Sequence, residues 1–402
     1  MLSEVGRWEL GVGSFLLKIL LIRLRLIGDV IFTTPIPRAL KRVFPDAHLT
    51  YLVEPAAAPV VAHTPSVDDV MIVPRRRGAQ RIVDDGKLAW RLRQRRFDLV
   101  LDLHGGPRSS WLAFATGAPQ RIGYAIKGRS WMYTTAVARP RELRARHSVV
   151  NQWDLLEAIR LGPGDARRYG AGSWPGGAAD PIRDAVEMPL DPAADRAIGR
   201  RLEAAGVDSA HELVVAHVSA GNPFRRWPEP HFTSVLTALA KAGPQRRIIV
   251  SSGPSDREAA NRITAAARTA LGPDAGRIVA FGEFDLAELR ALVGRSRLFV
   301  GGDSGPLHIA ATTRTPVVGL YGPTLAERSA PWRDPAIPTI SLGIEGLPCR
   351  PCEQRVCEPG DFRCLTTLRP EDVITAAELA LNMEEGKGKM EKTPPPVSHD
   401  EF

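Results

Sequence analysis

Gly301-Gly302-Asp303-Ser304-Gly305-Pro306-Leu307-His308 sets an acid, a hydroxyl and an imidazole among three glycines within eight residues. Glycines beside Asp303-Ser304 allow a ligand to approach the backbone. A helix starting there would aim free N–H groups at an anion, which suits a pyrophosphate. Asp303 equally suits the N-cap of that helix. His308 falls one turn beyond Ser304 on the same helical face, where it could line the site or serve packing. A second cluster, His217-Val218-Ser219-Ala220-Gly221-Asn222 with Phe224-Arg225-Arg226-Trp227, offers Ser219 and neighbouring amides to phosphate oxygens, and Arg225 and Arg226 to a departing diphosphate. The bland alternative is a solvated basic turn. A third is Gly253-Pro254-Ser255-Asp256-Arg257-Glu258, where an acid opening a helix suits a ribose diol. Asp256 also suits the helix cap, which leaves Glu258 as the preferred ribose acid. In the first half, Gly28-Asp29 stands where an apolar run turns into a helix; Asp29 suits a general base, or simply complements the helix dipole.

The four cysteines of the chain, Cys349, Cys352, Cys357 and Cys364, lie together in one stretch. Without an export signal, the clustering argues against a disulfide framework. Tetrahedral zinc and a packed loop of reduced thiols both remain open, the spacing after Cys352 not being a standard second half of a zinc site. No Gly-x-Gly-x-x-Gly follows a strand, and no Gly-x4-Gly-Lys-Ser/Thr or Asp-x-Asp occurs. Nicotinamide dehydrogenases and P-loop enzymes are thereby disfavoured. If a nucleotide diphosphate binds, amides and cationic side chains must neutralise it.

These residues need strand ends to hold them. The 402 residues are 44% hydrophobic and 24% charged, ordinary globular composition with length for two cores. The apolar run Phe15–Phe32 is broken by Lys18, Arg23, Arg25 and Asp29, so it reads as neither a membrane span nor a secretory signal, and a cytoplasmic location is expected. It predicts a buried strand, a turn and a helix, with further strands at 49–53, 70–73 and 97–103. Apolar runs near 213–221, 247–255, 277–283, 297–305 and 317–324 each end in Gly, Ser or Pro, and helix-length segments separate them. This is a second parallel α/β sheet, whose right-handed crossovers place every such turn at the carboxyl edge. The expected organisation is an N-terminal domain over 1–165, a Gly/Pro/Ala-rich linker over 166–195, a C-terminal domain over 196–383 and a disordered tail over 384–402.

IRLRLIGDVIFTTPIPRALKRVFPDAHLTYLVE, FDLVLDLHGGPRS, FRRWPEPHF, GGDSGPLHIAATTRTPVVGLYGPT and CRPCEQRVC occur in this order. Together they resemble glycosyltransferase family 9, the bacterial ADP-heptose:lipopolysaccharide heptosyltransferases, over about residues 17–381. The resemblance implies a GT-B architecture, two Rossmann-like domains facing across a cleft. It also implies inverting transfer of heptose from ADP-L-glycero-D-manno-heptose to an inner-core acceptor, with no required cofactor. It assigns Asp29 as base, and Ser219, Arg226, Asp303, Ser304, Gly305 and His308 as diphosphate-binding elements; Arg225 and Gly253 border these turns. Glu258 falls near the family's ribose acid, and the cysteines resemble a structural feature of many members. The segment Leu24-Arg25-Leu26-Ile27 departs from many members in lacking a Ser-Ser pair. Arg226 stands where a lysine is common.

The formal charge of +8 asks for an anionic partner. Nine cations, Arg75, Arg76, Arg77, Arg81, Lys87, Arg91, Arg93, Arg95 and Arg96, face only Asp84 and Asp85 over 22 positions. Part of this set is expected to face the anionic inner leaflet or lipid A core sugars as a peripheral membrane contact, with His104, Arg108, Arg121 and Arg144 as acceptor-binding candidates. A solvated helix face is the alternative. Nucleic acid is disfavoured, since Trp90 is the one aromatic among these arginines. A relative that transfers another sugar or uses another glycan, and a noncatalytic nucleotide-binding relative, are the competing functions.

Overall fold

The computed structural model describes residues 16–76, 78–139, 146–160 and 174–384. Arg77, Arg144, residues 166–173 of the expected linker and residues 385–402 of the expected tail lie outside them.

The first sheet contains β1 (Lys18–Ile22), β2 (His48–Val53), β3 (Asp69–Ile72), β4 (Leu99–Asp102), β5 (Gln120–Ala125) and β6 (Thr135–Ala138). Its order is β3-β2-β1-β4-β5-β6, and every pairing is parallel. The second sheet contains β7 (Glu212–His217), β8 (Arg246–Ser251), β9 (Ile278–Val279), β10 (Leu298–Gly302), β11 (Val317–Leu320) and β12 (Thr339–Leu342). It is also all parallel, in the order β12-β11-β10-β7-β8-β9. Central strands such as β1, with Ile19, Leu20, Leu21 and Ile22 fully buried, are apolar on both faces because helices cover both sides of a parallel sheet. The strand order reverses between β1 and β4 in the first sheet and between β10 and β7 in the second. Open α/β sheets bind ligands at such switch points, outside the carboxyl ends of the strands.

Short helices follow these ends: α1 (Ile27–Ile31) after β1, then α2 (Pro35–Val43), and α3 (Ala58–Val61) after β2. The first half continues with α4 (Gly78–Gln94), α5 (Pro107–Ala115) and α6 (Ser148–Leu156). The second half holds α7 (Pro192–Ala204), α8 (Glu229–Ala242), α9 (Arg257–Leu271), α10 (Leu286–Gly294), α11 (Gly305–Ala311), α12 (Ala326–Ser329), α13 (Arg363–Thr366) and α14 (Pro370–Glu384).

The two halves meet through close packing. Gly28 of α1 approaches His308 of α11 so tightly that a Cβ at position 28 would lie 2.3 Å from the imidazole Cδ2. Gly305 is similarly pressed against Ile27, and the Phe32 and His308 rings lie 4.5 Å apart. One apolar cluster runs from Ile19 and Leu21 in the first half to Leu307 and Tyr321 in the second. The described part of the expected linker is itself packed. Trp174, Val186 and Met188 are buried. Arg42 pairs with fully buried Asp184 at 2.6 Å, and Trp332 Nε1 donates to the Asp184 carbonyl at 2.9 Å. Its lack of apolar periodicity reflects irregular backbone rather than solvent exposure. The last part of the expected linker already belongs to α7, where Asp191 caps Ala193 and Ala194.

Candidate active site

Asp29 sits in the first turn of α1, just beyond β1 at the switch point of the first sheet. Its carboxylate pairs with Arg23, whose other guanidinium nitrogen donates to the Leu103 carbonyl at the end of β4. The two strands flanking the switch point are thus clamped by one buried arginine, while Asp29 stays partly open. A recess of about 210 Å³ lies over Asp29, lined by Arg23, Arg139, Arg146, Tyr124 and Gln152 from the first half and Arg328 from the second. Arg146 is held bidentately by Asp154 at 2.7 Å, and Arg139 lies 5.4 Å above the Tyr124 ring. Four guanidiniums against the two acids Asp29 and Asp154 leave net positive charge, which favours an anionic ligand.

His104 stands at the same edge, where burial first, then Arg23 and Arg25, push its imidazole down to about 4. Buried Asp102 orders the turn by accepting from the backbone N–H groups of His104 and Gly105 and from the hydroxyls of Ser109 and Tyr133. Burial raises the Asp102 carboxyl. The other acceptor candidates lie elsewhere. Arg108 is engaged by Asp85, Glu54 and the Pro74 carbonyl. Arg121 donates to the carbonyls of Met132 and Ala118 and covers Phe114.

At the switch point of the second sheet the groups neutralise one another. Ser219 Oγ donates to Asp256, which also accepts from Ser255 at 2.9 Å and pairs with Arg226 at 2.7 Å. Gly253 leaves room here, since a Cβ would stand 3.4 Å from Ser219 Oγ. Asp256 makes no capping bond; it faces the cluster, whereas Glu258 in the first turn of α9 is exposed beside Arg262. The structure therefore brings Asp256, and not the preferred Glu258, to Ser219 and Arg226.

Asp256 still occupies the N-cap position of α9, whereas Asp303 does not occupy that of α11, a position taken by Ser304. Its Oδ2 accepts from Thr324 at 2.6 Å and meets Arg225 at 3.2 Å, while Oδ1 lies 3.4 Å from His308 Nε2, long for a hydrogen bond. Burial alone would push Asp303 up. His308, Arg225 and Thr324 outweigh it and hold the carboxyl down at about 2. His308 faces Phe32 and Gly28, so it wedges the two halves together. The glycines expected to admit a ligand accommodate protein: Gly301 packs on Phe299 and His217, Gly302 on the Arg225 carbonyl, and Gly305 on Ile27.

The four cysteines line one recess of about 420 Å³ together with Phe224 and Phe362, and all are free thiols. Burial, then the neighbouring thiols, push Cys364 up to about 11. Among the described residues no three His, Cys, Asp or Glu side chains are arranged to hold a metal ion. The loop reaches the turn that follows β7. Gln354 Oε1 accepts from Arg225 Nε at 2.7 Å and from Asn222 Nδ2 at 2.8 Å, and Phe224 meets Phe362 edge-on at 5.4 Å. Arg139, Arg146 and Arg328 lie in no local motif, while Arg23 and Gln354 lie inside two of the motifs without standing out as site residues.

The sequence profile of glycosyltransferase family 9 (heptosyltransferase) matches residues 86–360, more than half of the chain. The chain belongs to glycosyltransferase family 9. It is therefore a glycosyltransferase, and its two parallel sheets are the two halves of a GT-B fold. Lipopolysaccharide heptosyltransferase 3 of Escherichia coli is 25% identical over 362 residues, 89% of this chain and 97% of that protein. A glycosyl transferase family 9 structure from Veillonella parvula superposes with a TM-score of 0.73 at 22% identity, covering 90% of this chain and 97% of that one. The E. coli ADP-heptose lps heptosyltransferase II structure gives 0.69 at 20% identity, covering 92% and 100%.

Proposed function

We propose that this family 9 enzyme transfers a heptose from ADP-L-glycero-D-manno-heptose to an anionic lipopolysaccharide inner-core acceptor, inverting the anomeric centre, with Asp29 as general base. The observation that carries the reading is the recess over Asp29, lined by arginines from both halves of the chain. An acceptor bearing phosphate or carboxylate groups would be drawn there with a hydroxyl against the carboxylate. Asp29 takes the hydroxyl proton as that oxygen bonds to the anomeric carbon and the bond to the diphosphate oxygen breaks. Arg23 orients the carboxylate through their ion pair. ADP departs toward the second sheet, where Arg225, Arg226, Ser219 and the amides opening α11 receive the developing charge, and no step is routed through a metal. Closure of the two halves excludes water as a competing nucleophile. The names of the E. coli relatives support the donor and acceptor classes.

The test is a matrix of ADP-heptose and other sugar nucleotides against deacylated core acceptors, with product linkage determined. Transfer from ADP-heptose alone, giving the inverted linkage, is expected. Equal transfer from another sugar nucleotide, or retention of configuration, overturns the reading.

A further inference from the structure

Helix α4 carries two apolar stripes. One, Leu88 and Leu92, is fully buried. The other points the opposite way: Ala79, Val83, Gly86 and Trp90 follow one another at helical spacing on the outer face, with Trp90 64% exposed and Ile82, beside them, 76% exposed. A soluble helix needs one buried stripe, and among the described residues nothing covers the second. Around it stand exposed Arg81, Lys87, Arg91 and Arg93, whereas Asp84 and Asp85 are half-buried and Asp85 is neutralised by Arg108. A shallow recess between Pro74, Gly86, Lys87 and Trp90 opens on the same side. Helix α5, packed beside α4, adds Trp111 and Phe114, and the Phe114 ring meets exposed Trp131 edge-on at 5.1 Å.

From this combination we infer that the outer face of α4, extended by Trp111, Phe114 and Trp131, docks on an anionic bilayer surface. Tryptophans partition to the headgroup level, apolar side chains enter the acyl boundary, and cations beside them meet lipid phosphates. Charge favours this occupant over a second copy of the chain, because a two-fold contact through α4 would set Lys87 and Arg91 against cations of the other copy. Among the described residues no helix is long and apolar enough to cross a membrane. The face would bring the first half of the enzyme, which holds Asp29, to the surface in which a lipid-anchored acceptor sits. The inference rests on that reading of the acceptor.

The experiment uses the full chain with vesicles of phosphatidylcholine alone and of phosphatidylcholine containing about one-third phosphatidylglycerol. Co-sedimentation with the anionic vesicles only is expected, weakened by salt. The double substitution Val83→Ser with Trp90→Ser should weaken binding about tenfold or more, with the melting temperature and transfer to a soluble deacylated acceptor unchanged. Lys87→Glu with Arg91→Glu should do the same through charge. No binding to anionic vesicles, or binding indifferent to both pairs of substitutions, overturns the inference. So does a solution dimer that the Val83/Trp90 substitution dissolves, since a second copy then covers the face. Failure of transfer to soluble acceptors with vesicle binding intact counts against heptosyl transfer and leaves the docking face standing. Transfer without vesicle binding does the reverse.

Discussion

The two switch points of this molecule handle charge in opposite ways. At the first sheet, Arg23, Arg139, Arg146 and Arg328 line an open recess against two acids, Asp29 on Arg23 and Asp154 on Arg146, so positive charge is in surplus before any ligand arrives. At the second, Arg226 is already paired with Asp256, Arg225 with Asp303, and Ser219 donates to Asp256. A ligand entering the first region meets a net positive charge, although Arg23 and Arg146 already hold acids. One entering the second must exchange an existing partner for its phosphates, so binding there depends on how well the network re-forms around them.

The sharpest way to break this contrast is Asp29→Asn. The side chain keeps its size and loses its ability to accept a proton, so turnover should fall by roughly a thousandfold, while ADP affinity, measured by calorimetry, stays at the wild-type value. Comparable loss of ADP binding would show that the two regions are not separable.

A crossed pair of substitutions probes the same separation from the side of the arginines. Arg226→Ala should weaken ADP binding by about 10- to 100-fold, the range of a lost charge-assisted hydrogen bond, and leave the acceptor KM nearly unchanged. Arg146→Ala should raise the acceptor KM by a similar factor and leave the ADP Kd alone. If either variant moves both constants equally, the division of charge between the two sheets fails.

The two regions also differed in how far the sequence disclosed them. The second sheet was legible because buried parallel strands such as Leu298–Gly302 and Glu212–His217 are short apolar runs ending in small residues, and one chain crossing supplies a whole cluster. Gly301, Gly302 and Gly305 read in sequence as room for a ligand, and in the fold the space a Cβ would take at each is occupied by Phe299, the Arg225 carbonyl and Ile27. The arginines of the first region were not legible. Arg139, Arg146 and Arg328 sit in no motif, and only the fold gathers them from separate elements. Arg23 reads in sequence as an interruption of an apolar run, while in the fold it is buried and holds Asp29. Strand β6 is not legible in sequence because it is a four-residue strand at the sheet edge, with half-buried and exposed positions alternating.

Acid should test the seam between the regions next. His147 Nε2 donates to the Ala330 carbonyl at 2.9 Å, and its Nδ1 accepts from the Val149 amide at 3.1 Å, so the neutral ring caps α6 and bridges the halves. Burial holds this imidazole at about 4, against about 6.5 unfolded. A folded-state value below the unfolded one contributes stability that is complete above pH 6.5 and is lost as pH falls toward 4. His217, pushed to about 4 by burial, acts in the same window. The melting temperature should therefore fall between pH 6.5 and 4, with His147 accounting for on the order of 2 kcal/mol. His147→Asn keeps a capping side chain without a titrating ring, so its melting curve should depend less steeply on pH over that window; an unchanged slope would remove His147 from the account.

The smallest expected effect concerns the link between the donor-side turn and the cysteine loop. Gln354 adopts a positive φ of 58° and accepts from both Arg225 and Asn222 through a single amide oxygen. Gln354→Ala removes that acceptor without touching any charge. Arg225 retains Asp303, so the arginine loosens but does not leave, and the donor KM should rise only a few-fold, in keeping with about 1 kcal/mol for one hydrogen bond. The acceptor KM and the pH profile should not move. Gln354→Glu turns the same contact into an ion pair with Arg225, strengthening its hold on the arginine just where a diphosphate would have to compete for it. If the second region works by partner exchange, this substitution should raise the donor KM more than alanine does, even though the contact to Arg225 is stronger.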